Sequence, residues 1–332
     1  MRGFEAFRGI FAASAPIVQA VEAVRPRARA RRKARHPIQA ILIHNRRAGG
    51  ATAFMEAEAA AILRTLGYDP VYHSTDSEDD LDVLLPQVDG LVVPIGGDGT
   101  VRAVVSRLVR LGLHHPVTIL PAGTANNVAR QLGIEGDLFA LLRGLEHPHR
   151  VRFDVGRARG PWGTEFFLEA AGFGLFADSL EKYLPEEGKQ PLKAIRAAVE
   201  VLSDTRTYPV RLSLDGREKT GRFLLVEALN TGTLGPRLPL RPAAESGDGL
   251  LDVFQIDAEQ RESLLRYFTE MLTGGDLEEL AGVTVDRVEK VEVQASDSLP
   301  LHLDAEVRWI EAGERVVFDL LPSRLEFWVP RQ

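Results

Sequence analysis

The stretch Gly90-Leu91-Val92-Val93-Pro94-Ile95-Gly96-Gly97-Asp98-Gly99-Thr100 decides the fold class of this chain. Residues 90–95 are apolar without alternation, the pattern of a strand buried on both faces of a parallel sheet. A glycine-rich turn follows at once, and residues 100–111 then put Val101, Val104, Val105, Leu108 and Leu111 on one side of a helix. Strand, glycine turn and helix in that order form one unit of an α/β sheet. The same punctuation recurs on either side. Residues 38–44 read as a buried strand, 52–66 as a helix ended by Gly67, 70–75 as a second strand and 77–85 as a second helix. Residues 116–120 give a further strand, and Pro121-Ala122-Gly123-Thr124-Ala125-Asn126-Asn127 leads into a helix that stops near Gly133.

After about residue 150 the pattern changes. Alternating stretches at 150–156, 165–170, 210–214, 222–229, 251–256, 283–293 and 315–320 predict a β-rich, antiparallel sandwich or barrel-like domain. Asp215-Gly216 and Asp248-Gly249 are turn signals between some of them. Helical segments at 192–203 and 260–272 interrupt the set, and Trp162, Trp309 and Trp328 are read as core residues. The chain thus divides into a basic N-terminal arm (1–37), an α/β domain with a mostly parallel sheet (38–150) and a β-rich domain (151–330).

At 45% hydrophobic and 26% charged residues, the 332-residue chain can bury a core, which excludes disorder as its general state. It has no cysteine, which removes disulfides, thiolate zinc sites, iron–sulfur clusters and cysteine nucleophiles. No Gly-x-Ser-x-Gly elbow is present, and the eight histidines lack metal-ligand spacing. The net charge of −7 is unevenly spread: residues 1–37 carry nine Lys/Arg against Glu5 and Glu22, a local +7, and the rest stands at −14. An acidic body is a poor platform for nucleic acid, so no nucleic-acid partner is expected. No stretch has the ~20 apolar residues of a membrane span, and Glu5 and Arg8 interrupt the start that a signal peptide wants. The arm reads either as a solvated basic leader or as an interfacial anchor, with Phe4, Phe7, Ile10 and Phe11 at helical spacing ahead of the arginines.

The two glycine loops carry the chemistry. At the carboxyl end of a strand, glycines let backbone N–H groups approach phosphate oxygens. Asp98 would repel a bare phosphate, so its presence suggests a metal ion or a donor hydroxyl nearby. The plain structural alternative is a tight turn in which Asp98 caps the following helix. Neither a Walker A loop nor a dinucleotide fingerprint is present. A second such loop at 121–127 would face the first across the strand ends, offering the hydroxyls of Thr100 and Thr124 and the amide of Asn126.

Taken together, Gly96-Gly97-Asp98-Gly99-Thr100, the segment from Pro121 to Asn127 continuing as Val128-Ala129-Arg130, Asn45 after the first strand and Thr75 after the second resemble the diacylglycerol kinase catalytic-domain family. That family includes bacterial lipid kinases and sphingosine kinases and is distantly related to NAD kinases. In the second domain, Phe153-Asp154-Val155-Gly156, the segment from Ser246 to Asp252, and Leu303-Asp304-Ala305-Glu306 match further family motifs in order. The resemblance implies a NAD kinase-like α/β domain and ATP-dependent, magnesium-assisted phosphoryl transfer to a lipid hydroxyl. ATP would be held through Asn45, Thr75, Gly96, Gly97, Asp98, Gly99, Thr100, Val101, Arg102, Thr124 and Asn126. Asp98 would position magnesium or phosphates, Glu306 would be the general base, and Asp304 would support it, in keeping with a reaction that depends on positioning and charge neutralisation. A structural magnesium would sit on the Asp248 side chain and the carbonyls of Glu245 and Leu250. Phe173, Phe176, Leu180 and Tyr183, at roughly helical spacing, would line an acyl-chain pocket or simply pack in the core. The expected location is cytoplasmic, peripheral at the inner membrane face if the arm is an anchor.

The chain departs from the family pattern at several positions. Asn45-Arg46-Arg47-Ala48-Gly49 lacks the usual proline and serine, Asn127 stands where many members have Asp, Ala305 replaces a glycine, and the stretch after Asn230 is reduced to Thr231-Gly232-Thr233-Leu234-Gly235. Two other readings therefore stay open: a soluble kinase of the same superfamily acting on a small polar substrate such as NAD, and a catalytically silent lipid-binding protein that keeps the fold.

Overall fold

The structure is a computed structural model, and it describes residues 37–45, 53–75, 77–182, 206–235, 238–262, 266 and 283–331. Residues 1–36 of the basic arm, the loop at 46–49, the helix expected at 192–203 and most of the one expected at 260–272 lie outside the described residues.

The apolar runs of the first half become β1 (Ile38–Asn45), β2 (Tyr68–Thr75), β3 (Gly90–Gly96) and the short β4 (Leu120–Pro121), in the parallel order β2-β1-β3-β4. Between and after them come α1 (Ala53–Thr65), α2 (Asp79–Leu84), α3 (Asp98–Arg110), α4 (Asn127–Gln131) and α5 (Leu138–Arg143). Helix α3 buries Val101, Val104, Val105 and Leu108, while Leu111 stays exposed just past its end. The strand expected at 116–120 is shorter because Val117 is shared. It bridges Val92 on one side, and on the other it exchanges backbone hydrogen bonds with Glu326 and Trp328 at 3.0 and 2.8 Å.

The second half contains β5 (His149–Gly160), β6 (Gly163–Phe167), β7 (Ala170–Gly174), α6 (Leu175–Lys182), β8 (Tyr208–Leu214) and β9 (Arg217–Leu229). Next come the two-residue strands β10 (Thr233–Leu234) and β11 (Leu238–Pro239), then β12 (Leu251–Asp257), β13 (Thr284–Val288), β14 (Lys290–Ala295), β15 (Leu299–Leu303), β16 (Glu306–Ile310) and β17 (Arg315–Val329). Eleven of these strands form one antiparallel sheet in the order β16-β15-β7-β9-β8-β14-β17-β5-β6, with β12 and β13 branching from β9. Period-2 burial produces it: Val210, Leu212 and Leu214 of β8 and Val291, Val293 and Ala295 of β14 point inward while their neighbours are more exposed.

Long strands tie the two halves together. Phe153 and Val155 of β5 and Leu325, Phe327 and Trp328 of β17 lie in the core of the α/β half, with the Phe153 and Phe327 rings edge-on at 5.2 Å. Ala158 of β5 and Val316, Phe318 and Leu320 of β17 lie in the core of the β-rich half. Sharing strands between two cores fixes the strand ends of the first sheet against the second.

Some sequence expectations change at this level. The stretch 283–293 divides at Glu289, because Asp215 in the β8–β9 turn accepts the N–H groups of Glu289 and Lys290 at 3.2 and 2.9 Å. Trp309 is not a core residue. It is 43% exposed on β16, the edge strand, whose far side pairs with no other described strand. Phe173 belongs to β7 and packs edge-on against Tyr208 and Phe223, so it shares no helical face with Phe176 and Leu180. Tyr183 lies outside the described residues.

Candidate active site

The two glycine loops meet at the strand ends. A Cβ built on Gly123 would fall 2.4 Å from the Cα of Gly97, and one on Gly96 would fall 2.4 Å from Thr100 Oγ1. Only glycine lets these backbones approach so closely. Around Gly99 a Cβ would meet nothing within 4 Å, so that backbone faces open space. Gly97 is the N-cap of α3, whose first turn includes Asp98. Asp98 does not cap its own helix: its Oδ1 accepts from the N–H of Val128 at 3.1 Å, in the first turn of α4. One loop's carboxylate therefore holds the other loop's helix. Burial pushes the Asp98 carboxyl up, and backbone N–H groups around Val128 oppose the shift.

Asn126 has φ 55, and its side chain accepts from Gly123 N at 3.0 Å and donates to Gly123 O at 2.9 Å. Its amide thus shapes the loop, with one of its two N–H donors used on Gly123 O. Asn45 and Thr75 pair in register at the ends of β1 and β2, and Thr75 and Thr100 are buried beside the same strand ends. Thr124 is exposed in the second loop.

The β-rich half presents carboxylates to these loops. Asp304 and Ala305 form the turn between β15 and β16, with the left-handed conformation at Asp304, φ 53. Ala305 is outside that region, so alanine in place of the family glycine costs no strain here. The buried Asp304 carboxylate accepts the N–H groups of Leu168 (2.9 Å), Glu169 (2.8 Å) and Ala170 (3.2 Å). Burial raises its pKa, opposed by these donors and by the charge of Arg102. The same three bonds explain why the strand expected at 165–170 breaks into β6 and β7: its backbone turns aside to bind a carboxylate.

Glu306 opens β16, and its Oε1 accepts from Arg102 Nη2 at 2.8 Å. Arg102 lies in α3, directly after the first glycine loop, so this ion pair joins the two halves. Arg308 lies two residues along β16, hydrogen-bonded to Glu165 at 2.9 and 3.0 Å and 3.8 Å from Glu306 Oε2.

Sequence reasoning missed three buried groups. Glu169 accepts from Asn127 Nδ2 at 2.7 Å, and burial, followed by the charges of Asp98 and Asp304, holds its carboxyl well above the usual carboxylate range. Asn127 also donates to Gly235 O at 2.7 Å, so the amide that replaces the family's aspartate suits Glu169 as a second carboxylate would not. Glu227 and His302, both fully buried, are 2.7 Å apart, and His302 Nδ1 lies 2.9 Å from the Asp304 carbonyl. Gly172 makes the room: a Cβ there would fall 2.3 Å from Glu227 Oε2. No local motif announces these residues. The available signals were the acid in Leu168-Glu169-Ala170 and the histidine two positions before Asp304.

Where the resemblance implies a structural magnesium, the Asp248 side chain already has protein partners. Asp248 accepts from Leu250 N at 2.9 Å and is ion-paired to Arg287, and Glu245 is exposed. Among the described residues no group of three His, Cys, Asp or Glu side chains could hold a metal ion.

Paired glycine loops at the ends of a parallel sheet thus stand beside a carboxylate-bearing antiparallel β-rich half. The family model described as "Diacylglycerol kinase catalytic domain" matches residues 39–158, and the one described as "YegS C-terminal NAD kinase beta sandwich-like domain" matches residues 183–327. The chain is 27% identical over 263 residues to a diacylglycerol kinase of Bacillus subtilis, covering 75% of this chain and 83% of that one. It is 30% identical over 231 residues to a protein of Chromohalobacter salexigens named "Probable lipid kinase YegS-like", covering 65% of this chain and 69% of that one. A crystal structure of a diacylglycerol kinase from Bacillus anthracis superposes with a TM-score of 0.68 at 19% identity, covering 88% of this chain and 96% of that one, and so shares the fold. The chain belongs to the diacylglycerol kinase family of lipid kinases.

Proposed function

We propose that the protein transfers the γ-phosphoryl group of ATP to the hydroxyl of a membrane lipid, with Glu306 as general base. The observation that carries this reading is the Arg102–Glu306 contact, which puts a carboxylate from the second half beside the helix that opens at the glycine loop. Phosphoryl transfer asks the protein mainly for positioning and charge neutralisation, plus a carboxylate to draw the proton from the attacking hydroxyl. Gly96, Gly97, Gly99 and Gly123 would let backbone N–H groups approach the phosphates, and Arg102 would neutralise them. Asp304, locked by three backbone N–H groups, would fix the turn from which Glu306 extends.

Four carboxyl groups, Asp98, Glu169, Asp304 and Glu306, gather near two guanidinium groups, Arg102 and Arg308, and Asn127 Oδ1 is buried without a hydrogen-bond partner. That excess of oxygen and negative charge fits a magnesium ion arriving with the nucleotide, with Asp98 and Asn127 as its nearest protein partners. Bound there, it would supply charge neutralisation at the phosphates.

The acceptor would be a lipid, and the basic arm (1–37) would hold the acidic body to an anionic bilayer. Among the described residues no helix is long and apolar enough to cross a membrane. The test is to incubate the full chain with γ-labelled ATP, magnesium and a panel of acceptors. Label in diacylglycerol or a sphingoid base supports the reading. Label in NAD alone would replace it with a small-molecule kinase, and ATP binding without transfer to any acceptor with a silent member of the fold. Deleting residues 1–36 should weaken sedimentation with anionic vesicles; salt-insensitive, undiminished sedimentation would refute the anchor.

A further inference from the structure

The family resemblance places a structural magnesium on Asp248, but the residues around that side chain do not fit one. Asp248 Oδ1 accepts from the N–H of Leu250 at 2.9 Å, and Oδ2 is taken by the guanidinium of Arg287. Arg287 sits on β13 directly across from Asp252 of β12, with its Nε 3.8 Å from Asp252 Oδ1. Asp252 is buried and also receives Arg241 Nε at 3.4 Å. Two carboxylates thus meet two guanidinium groups, and the charge closes without a cation. Magnesium demands six oxygens in near-octahedral array and gives up its water reluctantly. Here the one anionic side chain offered is already neutralised, and a divalent ion would leave the cluster with two surplus positive charges.

The loop has other ties that need no ion. The Asp154 carboxylate accepts the N–H groups of Gly249, at 2.7 Å, and Ser323, and the Asp154 N–H donates to Ser246 O at 2.8 Å. The segment just before the loop reaches the α/β half, because Gln131 at the end of α4 donates to Ala244 O at 2.9 Å.

We infer that Arg287 takes the place of the structural magnesium, so that the 246–250 loop is held by a guanidinium and the resting fold is independent of divalent metal. A planar, permanently charged fork suits this role, because it bonds one carboxylate while staying close to a second. Arg287 lies in a stretch read only as strand, and its partner Asp248 is 39 residues away in sequence.

The test uses the full chain without nucleotide, which removes any ion that enters with ATP. After dialysis against EDTA and gel filtration, metal content is measured by mass spectrometry and Tm is compared in EDTA and in millimolar MgCl2. The wild type should hold far less than one equivalent of divalent metal and show the same Tm in both. Arg287→Ala should lower Tm in EDTA, and MgCl2 or CaCl2 should restore part of the loss, since Asp248 is then free to bind an ion. Arg287→Lys keeps a positive charge and should remain metal-insensitive, which covers the case where the alanine variant fails to fold. A stoichiometric divalent ion in the wild type, or a wild-type Tm that falls in EDTA, would overturn the inference. So would an alanine variant as stable as the wild type.

Discussion

Arg102 and Glu306, 204 residues apart, share a hydrogen bond of 2.8 Å that joins the helix of the first glycine loop to the edge strand of the β-rich sheet. In the proposed mechanism each has a second task, Arg102 on the nucleotide phosphates and Glu306 on the acceptor hydroxyl. Nucleotide arrival would draw the guanidinium toward the phosphates and release the carboxylate. The Arg102→Gln variant should therefore lose ATP affinity by about 10- to 100-fold, the scale of a charged hydrogen bond worth ~1.5–3 kcal/mol. Calorimetric ATP titration of the folded variant checks it, and Arg102→Lys should retain part of the affinity.

Gly123→Ala tests the contact between the glycine loops. The new Cβ would fall 2.4 Å from the backbone Cα of Gly97 and 2.8 Å from the side-chain Oδ1 of Asn126, so one loop must move. Overpacking of this kind costs ~1–3 kcal/mol. Since Gly123 lies in an exposed loop, the loss should appear as weakened ATP binding with an unchanged circular dichroism spectrum.

Glu169→Gln tests the buried carboxylates through pH. A carboxyl whose folded pKa is raised contributes stability that is complete below its unfolded pKa and lost as pH rises through the folded value. Asp98, Glu169, Glu227 and Asp304 all shift upward, as does the imidazolium of His302, so every one acts in the same direction. The wild-type Tm should fall as pH rises from the ordinary carboxylate range through neutrality. Glu169→Gln, which still accepts from Asn127, should flatten that fall and be the more stable protein at the alkaline end. A wild-type Tm that climbs over the same interval would contradict the assignment.

Asp304 can be separated into its acceptor and conformational roles. Asp304→Ala strands three backbone N–H groups and puts alanine at φ 53, and should cost about 3 kcal/mol or more by urea denaturation. Asp304→Asn keeps one acceptor oxygen and tolerates the left-handed conformation, so its loss should be clearly smaller.

The legible parts of this protein were those governed by local period and local backbone demand. The apolar runs 40–43 of β1 and 91–95 of β3 and the glycines at 96, 97 and 123 each state a requirement within a few residues. The alternation of β8 and β14 does the same. What escaped depends on groups distant in sequence. The break at Leu168-Glu169 is imposed by a carboxylate 135 and 136 residues away, and the split at Glu289 by Asp215. The β15–β16 hairpin went unread as strand because Leu299-Pro300-Leu301-His302-Leu303 is buried throughout and does not alternate. Glu227 lies in a stretch read as strand and His302 in none, and only the fold buries the two against each other. Asp98, Asp304 and Glu306 were named from a motif, but their partners Val128, Leu168 and Arg102 emerge only from the packing.

The most direct test of the central claim is the rate of γ-phosphoryl transfer from ATP to a lipid acceptor in wild type and in Glu306→Gln, with ATP affinity and Tm measured on the same samples. The account expects the variant to fold and bind ATP like the wild type while transfer falls by ~10²–10⁴-fold, the usual contribution of a positioned general base. Transfer within a few-fold of the wild type would remove Glu306 from the role of base.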